Sequence, residues 1–130
     1  MTRKIDIEFG AEERLWRRIA YDGVKRGRVL PNSLRFQISV VRERYGQKDN
    51  VVTGKWNGIA EINAQTACDA GAVGNVRAVC VDDPNDIEPG HALIALIAAP
   101  GLAVTEDDVR KARNELAKQM TIIVLPERIP

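Results

Sequence analysis

Arginine dominates the chemistry available in the first third of the chain. Arg17, Arg18, Arg26, Arg28, Arg35, Arg42 and Arg44 fall within residues 14–44, with Lys25 beside them. A planar guanidinium fork suits bidentate capture of phosphate or carboxylate better than an ammonium does. If Leu15 to Ala20 is a strand, Arg17 and Arg18 point to opposite faces, so one of them turns inward. An inward arginine needs a carboxylate, a backbone carbonyl or a ligand anion. Glu61 or an acid from residues 82–88 could answer it. His91 is the single histidine and the one side chain that titrates near neutrality without help. It stands between Gly90 and a long apolar run, at the mouth of a strand, where ligand contact or a structural hydrogen bond are both open. Arg17, Arg18, Arg28, Arg35, Ser39 and His91 are the candidate anion- or ligand-binding residues.

The usual catalytic and cofactor motifs are missing. No phosphate-binding P-loop, dinucleotide glycine fingerprint, His-Glu-x-x-His, nucleophile elbow or EF-hand loop occurs. No motif calls for a metal or a cofactor, and no catalytic set stands out, which favours binding over catalysis. Asp82, Asp83, Asp86 and Glu88 form an acidic loop whose spacing matches no metal loop, and it reads as a solvated turn. Gly71-Ala-Val-Gly74 has the G-x-x-G spacing of a KH loop, but Asp69 and the lack of nearby lysine oppose that reading. Aromatic residues make up 5% of the chain, a thin supply for stacking on single-stranded nucleic acid.

Two cysteines, Cys68 and Cys80, are twelve positions apart and form no Cys-x-x-Cys pair. The first residues, Met1 to Glu8, hold no apolar signal core. The expectation is a cytoplasmic protein with free thiols and no membrane contact. The 130 residues carry a net charge of +1, unevenly placed. Residues 1–60 have 13 Lys/Arg against 7 Asp/Glu, and residues 61–130 have 6 against 11. This asymmetry marks either a basic face for an anionic ligand or two halves that neutralise each other in one fold.

The elements that must position these residues follow from patterning. Leu15, Trp16 and Ile19 fit a helical face as well as a strand's alternation, and Leu15 to Ala20 is read as a strand, with Asp22-Gly23 and Arg26-Gly27 as turns. Arg35 to Val41 alternates as a strand, and Arg42 to Asp49 reads as a loop or one helical turn. Asn50–Thr53 and Lys55–Ile62 are two short strand candidates. Ala64 to Ala72 is a short helix burying Cys68, ended by Gly71 and Gly74. Val76 to Val81 alternates as a strand, and the unbroken run Ala92 to Ala99 is a central buried strand. Thr105 caps a helix to about Met120, with Val109, Ala112, Leu116, Ala117 and Met120 as its apolar stripe. Lys111, Arg113 and Lys118 face elsewhere or lie near its end. Thr121 to Leu125 is a closing strand. Strand, helix and strand over 92–125 look like a crossover whose strands lie parallel, or, if antiparallel, a plainer α+β layer. The fold expected is α+β, one domain over residues 1–130 with 1–10 loosely held, and a mixed sheet of five or six short strands under one long C-terminal helix.

The blocks Leu15-Trp-Arg-Arg-Ile, Gly27-Arg-Val, Ser33-Leu-Arg-Phe, Ile38-Ser-Val and Gly90-His-Ala-Leu-Ile resemble, in that order, a group of short bacterial proteins with no established activity. The resemblance covers about residues 14–120 and implies a bacterial origin, with Arg18, Arg28, Ser39 and His91 to be inspected first. A fainter similarity is to ADP-ribosyltransferase-like toxins. It sets Arg17 or Arg18, Ser33 or Ser39, and Glu115 or Glu127 in the toxin order, while Gly54-Lys-Trp-Asn-Gly58 resembles a Gly-Gly-Arg-Trp-Asn stretch of one NAD-degrading family. Lysine stands where that family has arginine, the spacing differs, and Glu115 falls in the long helix.

The function expected from all this is a small bacterial interaction module. Its arginine-rich N-terminal half docks on a protein partner or an anionic ligand, and an accessory role in a toxin, defence or mobile-element operon fits its size. NAD-using ADP-ribosyl transfer and nucleic-acid binding are the alternatives.

Overall fold

The computed structural model describes residues 9–31, 34, 37–46, 48–52, 54–84 and 88–129. Among these residues the strands are β1 (Arg14–Ile19), β2 (Val24–Lys25), β3 (Arg28–Val29), β4 (Gln37–Arg42), β5 (Gly58–Asn63), β6 (Val76–Asp82), β7 (His91–Ala98) and β8 (Thr121–Val124). The α-helices among them are α1 (Lys48–Val51), α2 (Ala64–Ala70) and α3 (Glu106–Gln119). Six strands make one sheet in the order β6-β7-β4-β1-β5-β8, and β2 with β3 form a separate ribbon.

Every neighbouring pair in the large sheet is antiparallel, so the sheet is not mixed. β7 and β8 do run in the same direction across α3, but β4, β1 and β5 lie between them. Their common direction follows from an even number of antiparallel steps, not from direct pairing. Helix α3 is 14 residues long. Of the Asn50–Thr53 strand candidate, Asn50 to Val52 form no strand and Thr53 lies outside the described residues. Asn50 and Val51 close the short helix α1, where the buried Val51 packs with Trp16, Val41 and Ile59. Arg42 ends β4 rather than opening a loop.

The period-2 patterns decide which face is buried. Leu15 and Ile19 of β1, Ile38 and Val40 of β4, Ile62 of β5, Val76 of β6 and Ile94 of β7 share the main core with Val109, Ala112 and Leu116 of α3 and with Ala64 and Ala67 of α2. Both helices thus cover one side of the sheet. Each is capped as its sequence dictates. The Asn63 side chain accepts from the Thr66 amide at 2.8 Å, and the Thr105 hydroxyl accepts from the Asp108 amide at 3.1 Å. The opposite side holds the smaller Trp16 cluster. Towards β6 and β7 it stays open, with Val81 and Ile97 exposed. No helix among the described residues is long and apolar enough to cross a membrane.

Candidate functional site

Arg17, Arg18, Arg42 and Arg44 of the arginine-rich segment are spent on contacts within the fold. Arg42 is 1% exposed, the one buried charged residue among those described. Its guanidinium holds Glu13 through Nε and Nη2, the latter at 2.8 Å, and Nη1 stands 3.5 Å from Asp82. The ring of Phe9 lies 4.2 Å beneath it and that of Tyr45 at 5.4 Å. The hydrogen bonds it donates to Glu13 raise Arg42 above its ordinary pKa, against the opposing effect of burial. Glu13 also accepts from Arg44 at 2.8 Å. Extending the alternation Ile38, Val40 by one step puts Arg42 on the core face. That signal was legible in the sequence, although a polar run after Val41 masks it.

Arg18 meets the same fate at the surface. It pairs with Glu88 and donates to the Val51 carbonyl, and partial burial lowers its pKa. Both Arg18 and Arg42 thus reach acids of the second half, so much of the charge asymmetry cancels within the fold. Arg17 reaches a backbone acceptor. The β1–β4 ladder pairs Leu15 with Arg42 and Trp16 with Val41. Beyond it, Arg17 Nη1 donates to the Ser39 carbonyl at 3.0 Å, standing in for a backbone donor. Arg17, Arg18 and Ser39 line one cleft of about 390 Å³ with Trp16, Gln37 and Trp56. The structure therefore brings three of the candidates together, with the Arg18 and Arg17 donors turned to protein acceptors. His91 Nδ1 lies 2.9 Å from the Asp83 carbonyl and 3.1 Å from its carboxylate, a local tie across the β6–β7 loop. Arg35, Ser33 and Asp86 lie outside the described residues. Glu115 sits in a different cleft from Ser39.

Arg28 leads elsewhere. β2 and β3 pair Val24 with Val29 and Lys25 with Arg28 around a two-residue turn. That turn needs left-handed backbone at both positions. Gly27, at φ +74°, adopts it without strain, but Arg26 is held at φ +54°. A non-glycine residue there costs about 1–2 kcal/mol. Directly opposed like charges such as Lys25 and Arg28 add to the cost. Among the described residues none of these three cations has a carboxylate partner. The hairpin leans on α3 and closes a cleft of about 780 Å³. The far wall carries Lys111 and Lys118, with Asn114 and Glu115 between them. Lys111 is paired with Asp107 at 3.1 Å and Lys118 with Glu115 at 3.1 Å. Val29, Leu30, Pro31 and Ala117 supply the apolar lining, with Val29 and Ala117 nearly fully buried. Sequence reasoning missed this site as a whole. The available signal was the row Lys111, Glu115, Lys118 at helical spacing, but what faces that row is a tertiary matter.

Cys68 and Cys80 form no disulfide. Cys80 Sγ lies 4.0 Å from the Ala64 carbonyl, and burial first, then the nearby Cys68, push its thiol up to about 12. No group of three or more metal-ligating side chains gathers among the described residues. In comparisons with protein-family models, curated proteins and solved structures, nothing matches this chain.

Proposed function

We propose that this chain is a small cytoplasmic binding module whose anionic ligand sits between the β2–β3 hairpin and α3. One observation carries the reading. Lys25, Arg26 and Arg28 break two local rules of hairpin design and answer no carboxylate among the described residues, yet face two lysines across a cleft. Strained backbone and unrelieved like charge gather where function requires them. Arg18, Arg42 and Arg44, by contrast, are already neutralised within the fold. Titrating the isotope-labelled chain with inorganic pyrophosphate, followed by amide shifts, tests it. Shifts should centre on residues 25–28 and 111–118 and vanish in the Lys25→Gln/Arg26→Asn/Arg28→Gln variant. Shifts centred on Arg18 and Ser39 instead, or none at all, would sink the assignment.

A protein partner is the second reading, and it has its own observation. Val81 and Ile97 are exposed beside the half-buried Val79 and Leu93 on the side of β6 and β7 that no helix covers. A partner that stays bound at high salt and is lost in Ile97→Asp would support it.

A further inference from the structure

The ligand's chemical class can be taken further, on the premise of the anion-binding reading above. We infer that the hairpin–α3 cleft takes an organic diphosphate, with two linked phosphoryl groups held by the cations and a carbon skeleton on the apolar lining.

Charge sets the first limit. Lys111 and Lys118 already have acidic neighbours, which leaves about three positive charges, on the exposed Lys25, Arg26 and Arg28, without a carboxylate among the described residues. A phosphate monoester brings about −1.5 to −2, whereas two linked phosphoryl groups bring about −3. Reach sets the second. The cations stand on two walls, and Lys111 and Lys118 are two turns apart, about 10 Å along the helix axis. One phosphoryl group cannot touch both ends of that span, but a diphosphate bridges more of it.

The same surface limits the ligand's length. Past Leu30, Pro31 and Asn114 the groove continues into an adjoining cleft of about 440 Å³ that holds Arg110 and Arg113. Those two are engaged, Arg110 with Asp107 and Arg113 with the Leu34 carbonyl at 3.3 Å. Glu106 and Asp107 line the next stretch of the helix. A nucleic-acid backbone tracking along α3 would meet those carboxylates. It would also find no aromatic side chain in the cleft to stack a base on. The apolar lining completes the case. A volume of about 780 Å³ is far more than a bare phosphate fills and lies within the range of about 300–1,000 Å³ typical of organic ligands.

Calorimetric titration of the full chain at about 0.15 M ionic strength tests the inference, using orthophosphate, pyrophosphate, ADP, geranyl diphosphate and a DNA duplex in separate arms. At least one organic diphosphate should bind more than about tenfold tighter than orthophosphate, with pyrophosphate between them. Whether ADP or geranyl diphosphate wins identifies a nucleoside or isoprenoid skeleton, and either supports the class. Arg26→Asn keeps a residue that tolerates the turn, so it should fold normally and lose about tenfold in affinity. Arg28→Gln should do the same and guards against a turn artefact. Equal binding of orthophosphate and both diphosphates overturns the diphosphate class while leaving the anion site standing. Duplex binding that falls steeply with salt, without diphosphate binding, overturns it in favour of nucleic acid. No binding in any arm overturns the class and the anion-binding reading together.

Discussion

Replacing Arg42 by methionine should cost more stability than any surface charge deletion in this protein. The methionine would fill a similar volume but would leave the Glu13 and Asp82 side chains, 3% and 8% exposed though their residues are only partly buried, without their cation. Breaking a buried pair from one side costs about 3–5 kcal/mol, because the orphaned charge stays desolvated. A domain of 130 residues loses roughly 3–5 °C in Tm per kcal/mol, so a fall of about 10–20 °C is expected. Arg44 still donates to Glu13 and softens the loss. Adding Glu13→Gln to the methionine variant removes one of the stranded charges. The double variant should therefore be less damaged than the two single losses added together, by about 1–3 kcal/mol. Urea unfolding followed by tryptophan fluorescence reads all three, since Trp16 is 5% exposed and reports on the core. An Arg42→Met variant within about 0.5 kcal/mol of the parent would refute the reasoning. It would mean that the cluster is open to water in solution and that its charges are never truly buried.

Two further outcomes follow from the same geometry. Thr105→Ala removes the hydroxyl that accepts from the Asp108 amide and should cost about 1 kcal/mol in urea unfolding, while Thr105→Ser, which keeps the hydroxyl, should leave stability unchanged or slightly raised. The Cys80 thiol is raised from 9.0 to about 12 in the folded chain, so its contribution to stability is fully present below about pH 9. Above that the unfolded chain releases the proton first, and stability should fall between pH 9 and 12. Cys80→Ala should flatten this part of the pH–stability profile, and an unchanged slope would contradict the burial of the thiol.

Local chemistry was readable where it depended on the nearest few residues. Thr105 with the stripe Val109, Ala112, Leu116 announces α3, because cap and period are both local properties. The alternations at Leu15, Ile38 and Val76 announce β1, β4 and β6 for the same reason. Asn50–Thr53 was misread because a short apolar pair beside glycine has no period long enough to separate a helical turn from a strand. β7 and β8 lie in one sheet with a common direction, as expected, but not side by side, because a strand–helix–strand pattern fixes direction but not neighbourhood. Three strands from earlier in the chain, β4, β1 and β5, take the places between them.

The sequence by itself determined the class of fold, the caps, the inward-facing positions and the supply of arginine. An inward arginine was expected to meet a carboxylate such as Glu61 or an acid from residues 82–88, a backbone carbonyl or a ligand anion. Arg17, on the face of Leu15 and Ile19, donates to the Ser39 carbonyl, and Arg18 pairs with Glu88 at the surface. Which arginines would be spent and which left over was decided by the tertiary structure alone. Charge pairing depends on distances of a few ångströms between residues such as Glu13 and Arg42, 29 positions apart, and no local pattern encodes them. The hairpin at Arg26 and the helix face at Lys111 and Lys118 are each ordinary in sequence. Only the packing of β3 against α3 sets their cations across one cleft, because the chain must bury Val29 and Ala117 and the charges beside them are carried along.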